Sequence, residues 1–123
     1  MNEKTRTFKY VDYLWDEQKA LSLGDNQVEL FLYRSNILGT DLRITNYGGG
    51  NTSCKTIEKD PLTNEDVEVM WVKGSGGDIG TLTRSGIAGL YTERLRDLKN
   101  VYQGLHDEDR MVGLFNHCIY DLD

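Results

Sequence analysis

Apolar residues in the first third of the chain recur at helical spacing. Val11, Leu14, Trp15 and Leu21, with Gln18 among them, predict a helix over residues 9–22 that stops at Gly24. A second helix is predicted over 25–39, with Asp25 as N-cap, Leu30, Tyr33, Arg34, Ile37 and Leu38 on neighbouring faces, and Gly39 closing it. The period then changes from helical to alternating. "TDLRITNY" (40–47) predicts a strand running into a glycine loop, and "SCKTIEK" (53–59) predicts another. "DPLTNED" (60–66) is dense in turn residues and joins that strand to the apolar return strand "VEVMWVK" (67–73) as a hairpin. "GIAGLY" (86–91) reads as a fourth short strand, with a helix start as the alternative. Two helices follow, "TERLRDLKNVYQGL" (92–105), with a stripe of Leu95, Leu98, Val101, Tyr102 and Leu105, and "DEDRMVGLFNHCI" (107–119), with Asp107 or Asp109 near its start. The order α, α, β-meander, α, α is not the βαβ alternation of a doubly wound sheet. It predicts a mainly antiparallel sheet with helices packed on it.

Composition narrows the setting. The 123 residues are 38% apolar, with mean hydropathy −0.54, and fit a single globular domain. A net charge of −6 and a pI near 4.9 disfavour nucleic acid and anionic membranes as partners. An anionic substrate stays open, because local donors outweigh the global field. No apolar run approaches the roughly 18 residues of a membrane span. "MNEKTRTFKY" lacks the apolar core of a secretion signal. Cys54 and Cys118 have no metal-type spacing and imply no disulfide framework. These features together predict a reduced, cytoplasmic setting.

Two glycine clusters carry the candidate chemistry: "YGGGNTSCK" (47–55) and "WVKGSGGDIG" (71–80). Consecutive glycines let backbone N–H groups converge on an anion. Asn51, Thr52, Ser53 and Ser75 add side-chain donors, and Lys73 adds a cation. In a hairpin, the start of one strand neighbours the end of its partner, so both clusters are predicted to meet. Neither GxxxxGK[ST] nor a GxGxxG opening a helix is present. On composition alone, phosphate or carboxylate binding and ordinary glycine turns both remain open.

The segments "LFLYRSNILGTDLRITNYGGGNTS", "RITNYGGGNTSCK", "DPLTNEDVEVMWVKGSGGDIGTL", "GLYTERLRDL" and "YVDYLWDE" resemble the N-terminal part of the class II aldolase/adducin family. The strongest resemblance is to the aldolase portion of rhamnulose-1-phosphate aldolase/short-chain dehydrogenase fusion proteins. It implies a three-layer α/β/α sandwich around a mainly antiparallel sheet, with residues 1–123 as the N-terminal portion of the domain. It also implies zinc-dependent cleavage of a phosphorylated ketose to dihydroxyacetone phosphate and an aldehyde. The family's first phosphate loop falls on Gly50, Asn51, Thr52 and Ser53; its second donor pair falls on Ser75 and Gly76, with Gly77 beside them. The family's zinc is held by a His-x-His pair and a later His, and a separate Glu or Asp handles protons. This sequence has only His106 and His117. The resemblance therefore implies that the zinc ligands lie beyond Asp123 and that this chain alone is inactive. It further implies NAD for a fused dehydrogenase domain and a homo-oligomeric parent. An adducin-like interaction domain and a small anion- or nucleotide-binding module are the competing readings.

Several residues carry simpler expectations. His117 and Cys118 are adjacent on a predicted helix, point about 100° apart and are expected to be structural. His106 is expected to be solvated, and Cys54 is expected to be an inert small residue, having no local base. Glu93, Arg94, Arg96, Asp97 and Lys99 form a charged, solvated face. Asp107, Glu108 and Asp109 suit a helix start. Trp15 and Trp71 are expected in the core or at a subunit contact, and Asp78 is expected to bond within its loop.

Overall fold

Strand β1 (Ser53–Lys59) and strand β2 (Asp66–Lys73) form the predicted hairpin in a computed structural model that describes residues 9–74 and 76–121. They pair antiparallel from Ser53↔Val72 to Lys59↔Asp66, and β3 (Ile87–Tyr91) pairs with the other side of β2. Among the described residues the sheet has three strands in the order β1-β2-β3. The hairpin turn depends on Asp60. Its carboxylate accepts the Leu62 and Thr63 N–H groups at 2.8 and 3.0 Å, while its own N–H donates to Glu65 O at 2.8 Å.

Helix α1 spans Glu17–Ser22 and α2 spans Gln27–Thr40; α3 (Thr92–Val101) and α4 (Glu108–Phe115) follow the sheet. Side chains alternate faces along β2, so Val69 and Trp71 meet α2 while Glu68, Met70 and Val72 point the other way. Phe31 and Leu32 of α2 join Val69, Trp71, Leu82 and Ile87 in one buried cluster. On the opposite side, Arg96 of α3 lies 3.8 Å from Glu68. Helices therefore engage both faces of an antiparallel sheet, the predicted layering. The C-terminal segment closes the β3 edge: Ile119 bridges Leu90, and the Tyr120 ring packs edge-on against Trp71 and Tyr91.

Five elements differ from the sequence expectation. The helix predicted over 9–22 begins only at Glu17, because the Asp16 side chain caps Gln18 and Lys19. Trp15 instead stacks on Tyr33 with ring centroids 5.1 Å apart, so that apolar spacing serves packing onto α2. The second helix is capped by Asn26 rather than Asp25, and it runs through Gly39 to Thr40. The strand predicted over 40–47 does not form. Asp41 accepts the Arg43 N–H, and its carbonyl accepts Ile44 and Thr45, which winds the segment into a turn. Leu42 and Ile44 stay half exposed and find no core. At the far end, α3 stops at Val101 rather than 105, followed by Gly104 at φ 110°. The last predicted helix, 107–119, is helical over Glu108–Phe115 and tightens to a 3-10 turn at Asn116–Cys118.

Gly39 is the tightest point of the fold. A Cβ there would lie 2.1 Å from the Gly80 nitrogen, a distance no packing adjustment relieves. Gly39→Ala is expected to destabilise the chain by about 3 kcal/mol in urea unfolding. Gly113→Ala, in α4 with nothing near the added methyl, should be neutral or stabilising by about 0.5–1 kcal/mol.

The Thr63 and Leu62 N–H groups hold the Asp60 carboxyl below the usual carboxylate range, against the opposing effect of burial. A folded pKa below the unfolded value means that ionised Asp60 stabilises the fold above that range. The contribution is lost as pH falls through the folded value. Thermal unfolding of Asp60→Asn against the unaltered chain should show a gap at pH 7 that narrows steadily toward pH 3.

Candidate functional site

The hairpin register brings the roots of both glycine clusters together. Lys73 donates its backbone N–H to Thr52 O at 3.2 Å, one pair beyond Ser53↔Val72. Beyond the strands, the two segments touch again. Gly50 sits at φ 88° with Ile79 directly beneath it, and a Cβ at Gly50 would fall 2.9 Å from Ile79 Cδ1. Only glycine serves both the backbone conformation and the contact. Ile79 is held in turn by α2. Asn36 donates from Nδ2 to Ile79 O and to Leu82 O, both at 3.0 Å.

The predicted site residues take different roles. Asn51 and Ser53 are exposed, and among the described residues neither side chain has a hydrogen-bond partner. Thr52 faces inward: its Oγ1 lies 3.0 Å from Ser35 Oγ and 3.5 Å from Arg34 Nη2. That hydroxyl is engaged by helix α2. Gly76 is exposed at φ 84°, and Gly77 is half-buried with the Lys73 Cε carbon 4.0 Å from where its Cβ would stand. Ser75 lies outside the described residues. Asp78 accepts the Gly80 N–H at 3.2 Å, the loop role expected of it. A cavity of about 160 Å³ opens under the second cluster, lined by Gly74, Gly77, Asp78, Thr81, Thr83 and Gly86 together with Leu82.

Besides Asn36, sequence reasoning missed two contributors on α2. Ser35 is fully buried, donates to Phe31 O at 2.8 Å and supports Thr52. Arg34 donates to Ser53 O at 3.0 Å. The signal was the polar triplet Arg34-Ser35-Asn36 in a helix otherwise flanked by apolar residues.

The remaining candidates keep their simpler roles. Burial pushes the Cys54 thiol up, only partly offset by nearby Arg34, so it is not an activated nucleophile. Burial also raises Cys118, which is packed in the core. His106 and His117 are both exposed and sit in separate 3-10 turns. Among the described residues no group of three or more His, Cys, Asp or Glu is placed to hold a metal ion. Trp71 is core, and Trp15 is half-buried against Tyr33.

No protein-family profile matches the chain. It is 40% identical over 111 residues to the uncharacterized oxidoreductase YuxG of Bacillus subtilis (strain 168), a match that covers 90% of this chain. The chain spans only 16% of that relative's length. It also superposes on the N-terminal class II aldolase domain of a conserved protein from Thermoplasma acidophilum, with a TM-score of 0.62 at 26% identity. That match covers 98% of this chain and 48% of the other. The resemblance to the class II aldolase/adducin family thus holds in structure as well as in sequence, and the fold is that of a class II aldolase domain.

Proposed function

We propose that residues 1–123 are the N-terminal portion of a class II sugar-phosphate aldolase domain, a carbon–carbon lyase. In this reading the two glycine clusters hold the phosphate of a phosphorylated ketose, with rhamnulose 1-phosphate as the favoured substrate and dihydroxyacetone phosphate as a product. The observation that carries the reading is the pairing of the two loop roots through Lys73 N–H and Thr52 O. Two donor-rich, uncrowded backbone segments on one rim are what a phosphate ester needs.

The residues divide the work. Gly50, Gly76 and Gly77 bring backbone N–H groups near the anion, Asn51 and Ser53 contribute side-chain donors, and Lys73 contributes charge. Ser75 enters on the family resemblance. Thr52 shapes the loop from inside, through Ser35. The described residues do not form a zinc site. Zinc and the acid that moves protons are accordingly assigned to the longer protein. The oxidoreductase name of the Bacillus relative supports a longer protein that joins this domain to a dehydrogenase using NAD. Such a protein is proposed to act in the cytoplasm as a homo-oligomer.

Retro-aldol cleavage of rhamnulose 1-phosphate by the longer protein, with and without zinc, tests the activity. The 123-residue chain alone is expected to show no turnover with added zinc. Asn51→Ala should weaken dihydroxyacetone phosphate binding by about 1–3 kcal/mol in calorimetry. Thr52→Val should leave that affinity near the unaltered value and instead cost about 1 kcal/mol of unfolding free energy. The reverse pattern would reassign the two residues.

A further inference from the structure

Arg34 and Arg94 are the arginines of the described residues outside the ion pairs, and Arg94 donates to His117 O and lies over the Tyr91 ring, away from the glycine clusters. Arg43, Arg84, Arg96 and Arg110 each pair with a carboxylate. Arg34 pairs with none among the described residues, although the chain is acidic overall. Its Nη2 is spent on the exit of the first glycine loop, at Ser53 O and, at longer range, Thr52 Oγ1. The guanidinium plane is further restrained by the Phe31 ring, 5.6 Å from its central carbon. Nε and Nη1 have no acceptor among the described residues. At the exit of the first glycine loop, a planar cation held on one side with donors left over can meet an anion as well as brace the backbone.

We propose that Arg34 positions the first glycine loop and supplies its fixed positive charge to a bound phosphate monoester. The inference rests on the reading of the site given above and deepens it: Lys73 brings charge to the second loop, and Arg34 brings it to the first. Ser35 belongs to the same device. Its buried hydroxyl fixes Thr52, so consecutive residues of α2 hold consecutive residues of the loop. The helix thereby sets where Asn51 and Ser53 present their donors. Lysine in place of Arg34 would keep the charge and lose the flat fork that reaches Ser53 O and the ligand together.

The test titrates dihydroxyacetone phosphate into the 123-residue chain and its Arg34→Gln and Arg34→Lys variants, followed by amide shifts, at low and high salt. Backbone order parameters of Gly50–Ser53 are measured without ligand. Arg34→Gln should weaken binding roughly tenfold and flatten its salt dependence. Arg34→Lys should recover about a third of the lost affinity on a logarithmic scale and most of the salt dependence. Both variants should lower the order parameters of the loop. A solely structural role would loosen the loop without changing the salt dependence, and that result overturns the proposal. So does an Arg34→Gln chain that binds like the unaltered one, which would leave the phosphate reading intact. Absence of binding by the unaltered chain defeats the phosphate reading itself, and this inference with it.

Discussion

Where Gly39 meets Gly80, two backbones come closer than any side chain allows. That approach seats the 3-10 turn Ile79–Thr81 on helix α2. Asn36 then locks the turn through two carbonyls, and Ile79 becomes the floor under Gly50. The second glycine cluster is thus tied to α2 at one end and to strand β2 at the other. Steric exclusion, not attraction, sets the geometry: the missing methyl groups let the layers close, and hydrogen bonds hold them there.

The hairpin supplies the second constraint. Its register pairs the mouth of β1 with the end of β2, so the two clusters share a rim. Asp60 defines the turn at the other end, and a slip of one residue there would reverse every side chain of β1. Cys54 would then leave the core that α2 covers, and Thr56 would lose the Trp71 indole N–H. The turn chemistry at one end of the hairpin and the candidate site at the other are therefore coupled through strict alternation.

Helix α2 performs two tasks on adjacent faces. Phe31 and Leu32 bury against the sheet, while Arg34 and Asn36 hold loop carbonyls and Ser35 holds the Thr52 hydroxyl. Buried polar side chains cost stability unless each finds a partner, and here Ser35 and Asn36 find two each. This explains why a long helix carries three consecutive polar residues beside its core face. The loop it serves is polar and rich in glycine, and would otherwise have little to order it.

Periodicity and turn residues alone determined the opening and closing helix pairs, the hairpin, the strand after the second cluster, and the neighbourhood of the two clusters. These are local signals, decided within a few residues by sterics and hydrogen bonding. The segment 40–47 was misread because its alternation is genuine but Asp41 captures the nearby N–H groups before a ladder can form. Residues 9–16 were misread because Trp15 answers to Tyr33, 18 residues on. The glycines and hydroxyl residues of the first loop were visible in the sequence, but which way each one faces was not. Whether Thr52 faces a ligand or Ser35, and whether Arg34 is a solvated cation or the clasp of a loop, depends on how α2 lies across the sheet. Only packing between distant segments decides that, because no local interaction orients one element against another.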